Sequence, residues 1–191
     1  MKRTLAIVLA VLMVSAVALA GTLSGKVSGA SGVSVVYVDT IAGKTFPAPE
    51  KHVLVDQKGM NFQPHIAVVL VGTTVDFLNS DNVGHNVFWP GISGDKKGQN
   101  LGTWPKGEKK SYKFDKAGVA PLFCNVHPEM SGYIIVTPTP YYAETDAQGN
   151  YKIANVPDGD YKVVAWHEGA KPASKQVAVK GDAKADFTVT K

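Results

Sequence analysis

The chain has 191 residues and a formal net charge of +4, a length that suits one large domain or two small ones. Its 20 basic residues are scattered, and this pattern does not indicate nucleic-acid binding. The chain has one cysteine, Cys124, so a disulfide bond within a single copy of the protein is excluded.

Residues 1–20 have the layout of a secretory signal peptide. Lys2 and Arg3 precede an apolar run, and the small residues Ala18 and Ala20 stand before the predicted cleavage point. An uncleaved membrane anchor is the alternative, but the run is short for a span of about 20 residues. We therefore expect residues 1–20 to be removed.

Removal of residues 1–20 leaves 18 basic and 16 acidic residues and lowers the net charge from +4 to +2. We expect a periplasmic protein that does not span the membrane after cleavage. Exported cysteines are usually paired in disulfides, and Cys124 has no partner in its own chain. The lone thiol therefore indicates intermolecular pairing, reactivity or a metal.

After the leader, the sequence predicts β-strands almost throughout and no amphipathic helix. The predicted strands are Val33–Asp39, His52–Gln57, Ile66–Val71, Thr74–Asn79, Lys110–Phe114, Gly132–Val136, Tyr151–Val156, Tyr161–Trp166 and Ala185–Thr190. Gly, Pro, Asn and Asp interrupt them at intervals of about ten residues, which is typical of a β-sandwich or barrel.

Two segments are candidate boundaries between domains. The sequence TPTPYY, Thr137–Tyr142, contains two prolines and predicts a linker or a sharp crossing. A second boundary is predicted near Phe46–Lys51, where the sequence reads FPAPEK.

The stretch FCNVHPEMSGYIIV, Phe123–Val136, places Cys124, His127 and Met130 at intervals of three residues. Their thiolate, imidazole and thioether are soft ligands. Two His and one Cys in a plane, with a weak axial Met, define a blue-copper electron-transfer site. The second histidine has to come from elsewhere, and His85 is the strongest candidate because it follows a predicted strand on a turn rich in Asn, Asp and Gly.

Other interpretations of these residues are open. A zinc site is one alternative, although zinc rarely binds Met and its structural sites usually have more thiolates. A catalytic Cys–His pair is another, although such a pair normally comes from distant positions in the sequence. Glu129 is a competing oxygen ligand beside Met130. Three further histidines are interpreted as surface or structural residues: His52, His65 and His167.

The order His85-Asn86, then Cys124-x-x-His127-x-x-Met130, resembles the cupredoxins, the family of plastocyanin, azurin and amicyanin. The short loop is most similar to that of amicyanin, and the stretch MNFQPHIAVVLVGTTVDFLNSD extends the resemblance upstream. The resemblance implies a Greek-key β-sandwich over residues 50–138 that holds one type 1 copper ion. It also implies which residues form the site: His85, Cys124, His127 and Met130 as ligands, and Asn86 as a hydrogen-bonding support.

Residues 139–191 resemble the carboxypeptidase regulatory-like (prealbumin-like) β-sandwich, through A-x-T-D-x-x-G-x-Y-x-I and V-P-x-G-x-Y-x-V. Residues 21–39 are similar to the first half of that sandwich. We therefore predict that 21–49 and 139–191 fold together with the cupredoxin domain inserted between them. The alternative is that the N-terminal segment adds strands to the cupredoxin domain. The cluster Trp166–Glu168 has no interpretation from sequence.

We expect an all-β protein that acts as a single-electron carrier and not as an enzyme. The resemblance implies a redox partner such as a c-type cytochrome or a periplasmic oxidoreductase, and the oligomeric state is open. The alternative is a copper-binding or delivery protein without electron transfer. Such carriers tend to be rich in exposed Met or His, whereas the predicted mature chain has only Met60 and Met130.

We also expect an apolar rim around the exposed edge of His127 as a docking surface for the partner. Its predicted members are Pro90, Gly91, Pro128 and Met130, with Trp89 nearby. Five lysines lie in or near the stretch between the ligand loops and are candidates for steering an acidic partner: Lys96, Lys97, Lys106, Lys109 and Lys110.

Overall fold

The computed structural model describes residues 20–93 and 95–191, and these residues form an all-β structure without α-helices, as predicted. The predicted signal peptide lies outside the described residues except for Ala20, with which the first strand begins. Within the described part of the chain, no apolar helix reaches the length needed to cross a membrane.

Seventeen strands are present in the described residues. They are β1 (Ala20–Ser28), β2 (Ser34–Val38), β3 (Val53–Gln57), β4 (Phe62–Gln63), β5 (Ile66–Leu70), β6 (Thr73–Asn79), β7 (His85–Trp89), β8 (Gln99–Trp104), β9 (Lys109–Phe114), β10 (Gly118–Phe123), β11 (Ser131–Thr137), β12 (Tyr142–Glu144), β13 (Asn150–Pro157), β14 (Gly159–His167), β15 (Ala173–Val179), β16 (Ala183–Lys184) and β17 (Phe187–Thr188). Each predicted strand coincides with one of these, although the last is reduced to the two residues of β17. Eight of the seventeen strands were not predicted: β1, β4, β7, β8, β10, β12, β15 and β16. One of them, β10, contains Pro121, a residue that disfavours strands.

Strands β3 to β11 form a central sandwich of two sheets. One sheet has the order β5-β11-β10-β7-β8, and the other has the order β4-β3-β6-β9. Strand β3 pairs with β6 in parallel, and β5 pairs with β11 in parallel, whereas their other neighbours are antiparallel. Parallel neighbours cannot be joined by a tight hairpin, so their connections leave the sheet and return. The β-sandwich expected from the sequence is therefore present.

The core of the central sandwich is aromatic. Phe77 on β6, Trp89 at the end of β7 and Phe114 at the end of β9 are fully buried, and the Trp89 and Phe114 rings lie 5.2 Å apart. Cys124 and Met130 belong to the same buried cluster. The candidate ligands are therefore built against a close-packed interior, which resists displacement of side chains.

The remaining strands form a second sandwich with its own core. Its sheets are β13-β1-β16, with β17 also paired to β1, and β12-β2-β14-β15. The N-terminal segment thus contributes one strand to each sheet and pairs with strands more than a hundred residues away. The grouping of 21–49 with 139–191 as one domain, with the central sandwich inserted between them, stays a prediction.

The two sandwiches meet in a small apolar cluster centred on Val35, Ile135 and Trp166. The ring of Trp166 lies 5.0 Å from that of Tyr133 in the central sandwich. Beside it, His65 Nε2 and Glu168 Oε2 are 2.7 Å apart. The cluster Trp166–Glu168, which the sequence left unexplained, therefore contributes to the contact between the sandwiches.

The proline-containing segment after β11 is a sharp crossing between the sandwiches. Thr137 and Thr139 are buried, and the Thr139 hydroxyl donates a hydrogen bond of 2.6 Å to the Val38 carbonyl of the second sandwich. Of the two predicted alternatives, the structure favours the crossing, because a flexible linker would leave these polar groups in water.

Candidate metal centre

Two neighbouring strands of the central sandwich bring three predicted ligands together. His85 is the first residue of β7, Cys124 follows the last residue of β10, and His127 lies in the short loop before β11. Their donor atoms all lie within 4.8 Å of one another. The predicted turn occupies residues 80–84, so His85 belongs to the strand that follows the turn, where its backbone pairs with Trp104 of β8.

The donor atoms converge on one point. His85 Nδ1 and His127 Nδ1 are 3.0 Å apart, and Cys124 Sγ is 3.9 Å from His127 Nδ1. Bonds of about 2 Å from a single first-row metal ion to each atom span such separations. One thiolate and two imidazoles suit copper. The residues present therefore fit a copper ion.

His85 is oriented by a carboxylate. His85 is completely buried, and its Nε2 lies 2.9 Å from Asp81 Oδ2. Because an ionised carboxylate only accepts hydrogen bonds, Nε2 carries the proton and Nδ1 of the neutral ring presents a lone pair. This tautomer points its free lone pair at His127 and is the one that can bind a metal through Nδ1.

The Asp81 carboxylate is held in turn by the β3–β4 hairpin. The backbone amides of Met60 and Gly59 donate hydrogen bonds of 2.9 Å and 2.7 Å to its two oxygens. Both donors have positive φ, 57° for Met60 and 63° for Gly59, so successive N–H groups point to one anion. Mainly through the Met60 hydrogen bond, the pKa of Asp81 is lowered to about 2.

Asn79 fixes the turn that carries Asp81. It is fully buried; its Nδ2 donates to the carbonyls of Val83 and Trp104, at 2.8 Å and 2.9 Å, and its Oδ1 accepts from the Asp81 amide. Sequence reasoning assigned no role to Asn79 or Asp81. The available signal was a carboxylate four residues before the candidate ligand His85, which indicates side-chain contact only when the turn geometry is known.

Asn86 joins the two ligand-bearing segments. Its backbone amide donates to Cys124 Sγ at 3.4 Å, and its side-chain oxygen accepts from the Asn125 amide at 3.2 Å. Its Nδ2 donates to Asn100 Oδ1 and to the Gly102 carbonyl, each at 2.8 Å. An amide donor to sulfur stabilises a thiolate, and the side-chain bonds hold the cysteine loop against β7.

The two candidates for the fourth ligand, Met130 and Glu129, differ in their burial. Met130 is fully buried and its amide donates to the His127 carbonyl at 3.0 Å, which closes the ligand loop into a turn. Glu129 is exposed. The burial pattern favours Met130 over Glu129 as a weak fourth ligand.

The predicted rim is only partly right. Trp89 is buried in the core and Met130 is fully buried. Pro90 and Gly91 follow the end of β7 opposite to His85, and four strand residues of about 3.3 Å each separate the two ends. The exposed apolar side chains of the loops around the site are instead Met60, Val83, Val126 and Pro128.

Comparison with known proteins gives two family matches. Residues 49–137 match the model for copper binding proteins of the plastocyanin/azurin family. The central sandwich is a cupredoxin domain. Residues 133–190 match the carboxypeptidase regulatory-like domain, so the two matches share part of β11. Both resemblances found in the sequence are thereby confirmed. No curated protein sequence matches the chain.

Several solved structures similar to the cupredoxin domain are amicyanins. A reduced tryptophan-to-tyrosine mutant is 26% identical over 46% of this chain and 84% of its own, with a TM-score of 0.43. The Cu(I) form of a methionine-to-alanine mutant is 25% identical over 52% of this chain and 98% of its own, with a TM-score of 0.43. An oxidised proline-to-alanine mutant is 28% identical over 51% and 96%, with a TM-score of 0.42.

Proposed function

We propose that this protein is an exported type 1 copper protein that carries single electrons between redox proteins of the periplasm. The observation that carries the proposal is the convergence of His85 Nδ1, His127 Nδ1 and Cys124 Sγ. Met130, buried at the end of the same loop, would be the weak thioether ligand of such a site. The family match over residues 49–137 supports copper as the metal.

Bound copper would supply one-electron chemistry by alternating between +1 and +2. The protein's part is to keep the ligands in place during that change. Asn86 holds the cysteine loop to β7, and the core packs around Met130 and Cys124. Ligands fixed in this way need little rearrangement, which favours fast electron transfer.

The electron is proposed to enter and leave through His127. His85 and Cys124 are buried, whereas His127 is partly exposed. The exposed side chains of Val83 and Val126 lie in the two loops around it, with 46% and 49% of their surface accessible. An apolar face around a partly exposed ligand suits a partner that also presents an apolar edge, such as a c-type cytochrome or a periplasmic oxidoreductase.

The first test is the absorption and EPR spectrum of the mature protein with Cu(II). We expect an intense blue thiolate-to-copper band and narrow copper hyperfine splitting, both lost in Cys124→Ser. Met130→Leu should perturb the band, whereas Met60→Leu and Glu129→Gln should leave it unchanged. A Cu(II) complex without the thiolate band would contradict the proposal and favour copper delivery.

Electron transfer and export need separate measurements. The Cu(I) protein should reduce a c-type cytochrome in stopped-flow mixing, and Val126→Glu should slow the reaction without changing the spectrum. Full-length protein should fractionate with the periplasm, and a variant lacking residues 2–20 should stay in the cytoplasm. Cytoplasmic full-length protein would contradict export without affecting the copper assignment.

A further inference from the structure

Asp81 occupies a position that links the copper site to a hairpin outside it. One of its oxygens accepts the Gly59 amide, and the other accepts both the Met60 amide and His85 Nε2. The side chain is 17% exposed, whereas the His85 ring is completely buried. The carboxylate therefore lies between solvent and the buried imidazole, and the two hairpin amides hold it in place.

This arrangement has two consequences for His85. The hydrogen bond fixes the ring plane and leaves Nδ1 free, so the ring needs no reorientation before it binds a metal. The negative charge lies next to the ring edge opposite to Nδ1, where it makes the imidazole a stronger donor and stabilises the more positive oxidation state of the metal.

We propose that Asp81 is a positioning residue that sets the preference of the site for Cu(II) over Cu(I) through His85. The inference rests on the proposed copper function. If Asp81 only anchored the hairpin, its replacement would weaken the binding of Cu(II) and Cu(I) alike, because His85 would be displaced whatever the charge of the metal. If Asp81 acts through its charge and its hydrogen bond to Nε2, its replacement weakens the binding of Cu(II) more than that of Cu(I).

The test compares both copper affinities of wild type with those of Asp81→Asn and Asp81→Glu. We expect Asp81→Asn to raise the dissociation constant of Cu(II) about tenfold more than that of Cu(I), the low end of effects reported for ligand-supporting residues. That ratio corresponds to a reduction potential about 59 mV higher for a one-electron couple. Asp81→Glu, which keeps the charge, should recover most of the difference.

The matched control is Asp146→Asn in the second sandwich. Asp146 also holds a turn through backbone amides, those of Gln148 and Asn150, but it contacts no candidate ligand. It should leave the potential unchanged. Equal loss of both copper affinities in Asp81→Asn would overturn the inference and leave a structural role only.

A second readout uses the metal-free protein. Nitrogen-detected NMR of the histidine rings should show His85 protonated at Nε2, with slow exchange, in wild type. In Asp81→Ala that proton should exchange at least tenfold faster, while the His167 ring signals stay in place. His85 protonated at Nδ1 in wild type would overturn the inference. A wild-type protein without a blue band would instead overturn the copper function, so the two failures are distinguishable.

Discussion

The turn before β13 in the second sandwich and the turn before β7 in the cupredoxin domain are stabilised in different ways. In the second sandwich, Asp146 holds the turn between β12 and β13 by accepting hydrogen bonds from residues two and four positions later. In the cupredoxin domain, Asp81 and Asn79 hold the turn between β6 and β7. Asp81 also bonds to His85 on β7 and to an amide of the β3–β4 hairpin, and Asn79 bonds to a carbonyl of β8. A local turn needs only its own sequence, whereas a turn tied to several elements can fix a ligand within a fraction of an ångström.

The largest expected effect on stability comes from removing one aromatic side chain from the core of each sandwich. Phe77→Ala and Phe187→Ala should each cost about 3–5 kcal/mol, because both rings are buried and leave cavities. We expect Phe77→Ala to lower the urea midpoint of the copper absorbance, and Phe187→Ala to lower chiefly that of the amide NMR signals of the second sandwich.

One outcome would contradict the expectation that the two cores unfold separately. If Phe187→Ala lowers both urea midpoints equally, the two sandwiches unfold as one cooperative unit. The control is Leu54→Ala, since Leu54 is 52% exposed and its truncation should change both midpoints little.

The next largest difference between the two sandwiches is expected in their stability at low pH. Burial of Asp76 in the cupredoxin domain would raise its pKa, but hydrogen bonds from Lys109, Ser111 and His52 outweigh this effect and lower the pKa to about 2. A lowered folded-state pKa stabilises the domain above the ordinary carboxyl pKa and loses that stabilisation as pH falls toward 2. The loss amounts to about 2 kcal/mol.

The second sandwich has a neutral group in a comparable buried position. The Tyr151 hydroxyl donates to the Ala185 carbonyl at 2.5 Å and does not titrate in acid. We therefore expect the amide NMR signals of the cupredoxin domain to be lost at a higher pH than those of the second sandwich. In Asp76→Asn, the stability of the cupredoxin domain should depend less on pH between 4 and 2. An unchanged acid midpoint in Asp76→Asn would contradict this role.

The smallest effect is expected where the two sandwiches touch. His65 and Glu168 form a contact that is about half exposed on each side, so Glu168→Gln should cost less than about 1 kcal/mol. The cost should disappear at 1 M salt, where exposed charges are screened. Thermal unfolding at low and high salt measures both effects, and a salt-independent loss would show that Glu168 acts through packing.

Much of the candidate site was accessible from sequence because three of its four candidate ligands lie in one short loop. The spacing of Cys124, His127 and Met130 limits their separation whatever the rest of the chain does. His85 was identified because it follows a predicted strand on a turn rich in Asn, Asp and Gly, and the family resemblance implied the same residue. Part of the predicted rim was wrong because Trp89 and Pro90 are close to His85 in sequence, yet an extended strand carries them to its far end.

By itself, the sequence determined the all-β class, nine of the seventeen strands in the described residues and the candidate ligand set. Alternating patterns, turn residues and ligand spacing are local properties, and local properties can be inferred from neighbouring residues. Only the tertiary structure decided that Asp81 contacts His85 and the hairpin amides, and that Trp166 and Glu168 face the cupredoxin domain. Such contacts depend on how turns and sheets are oriented in space, and packing of the whole chain fixes that orientation.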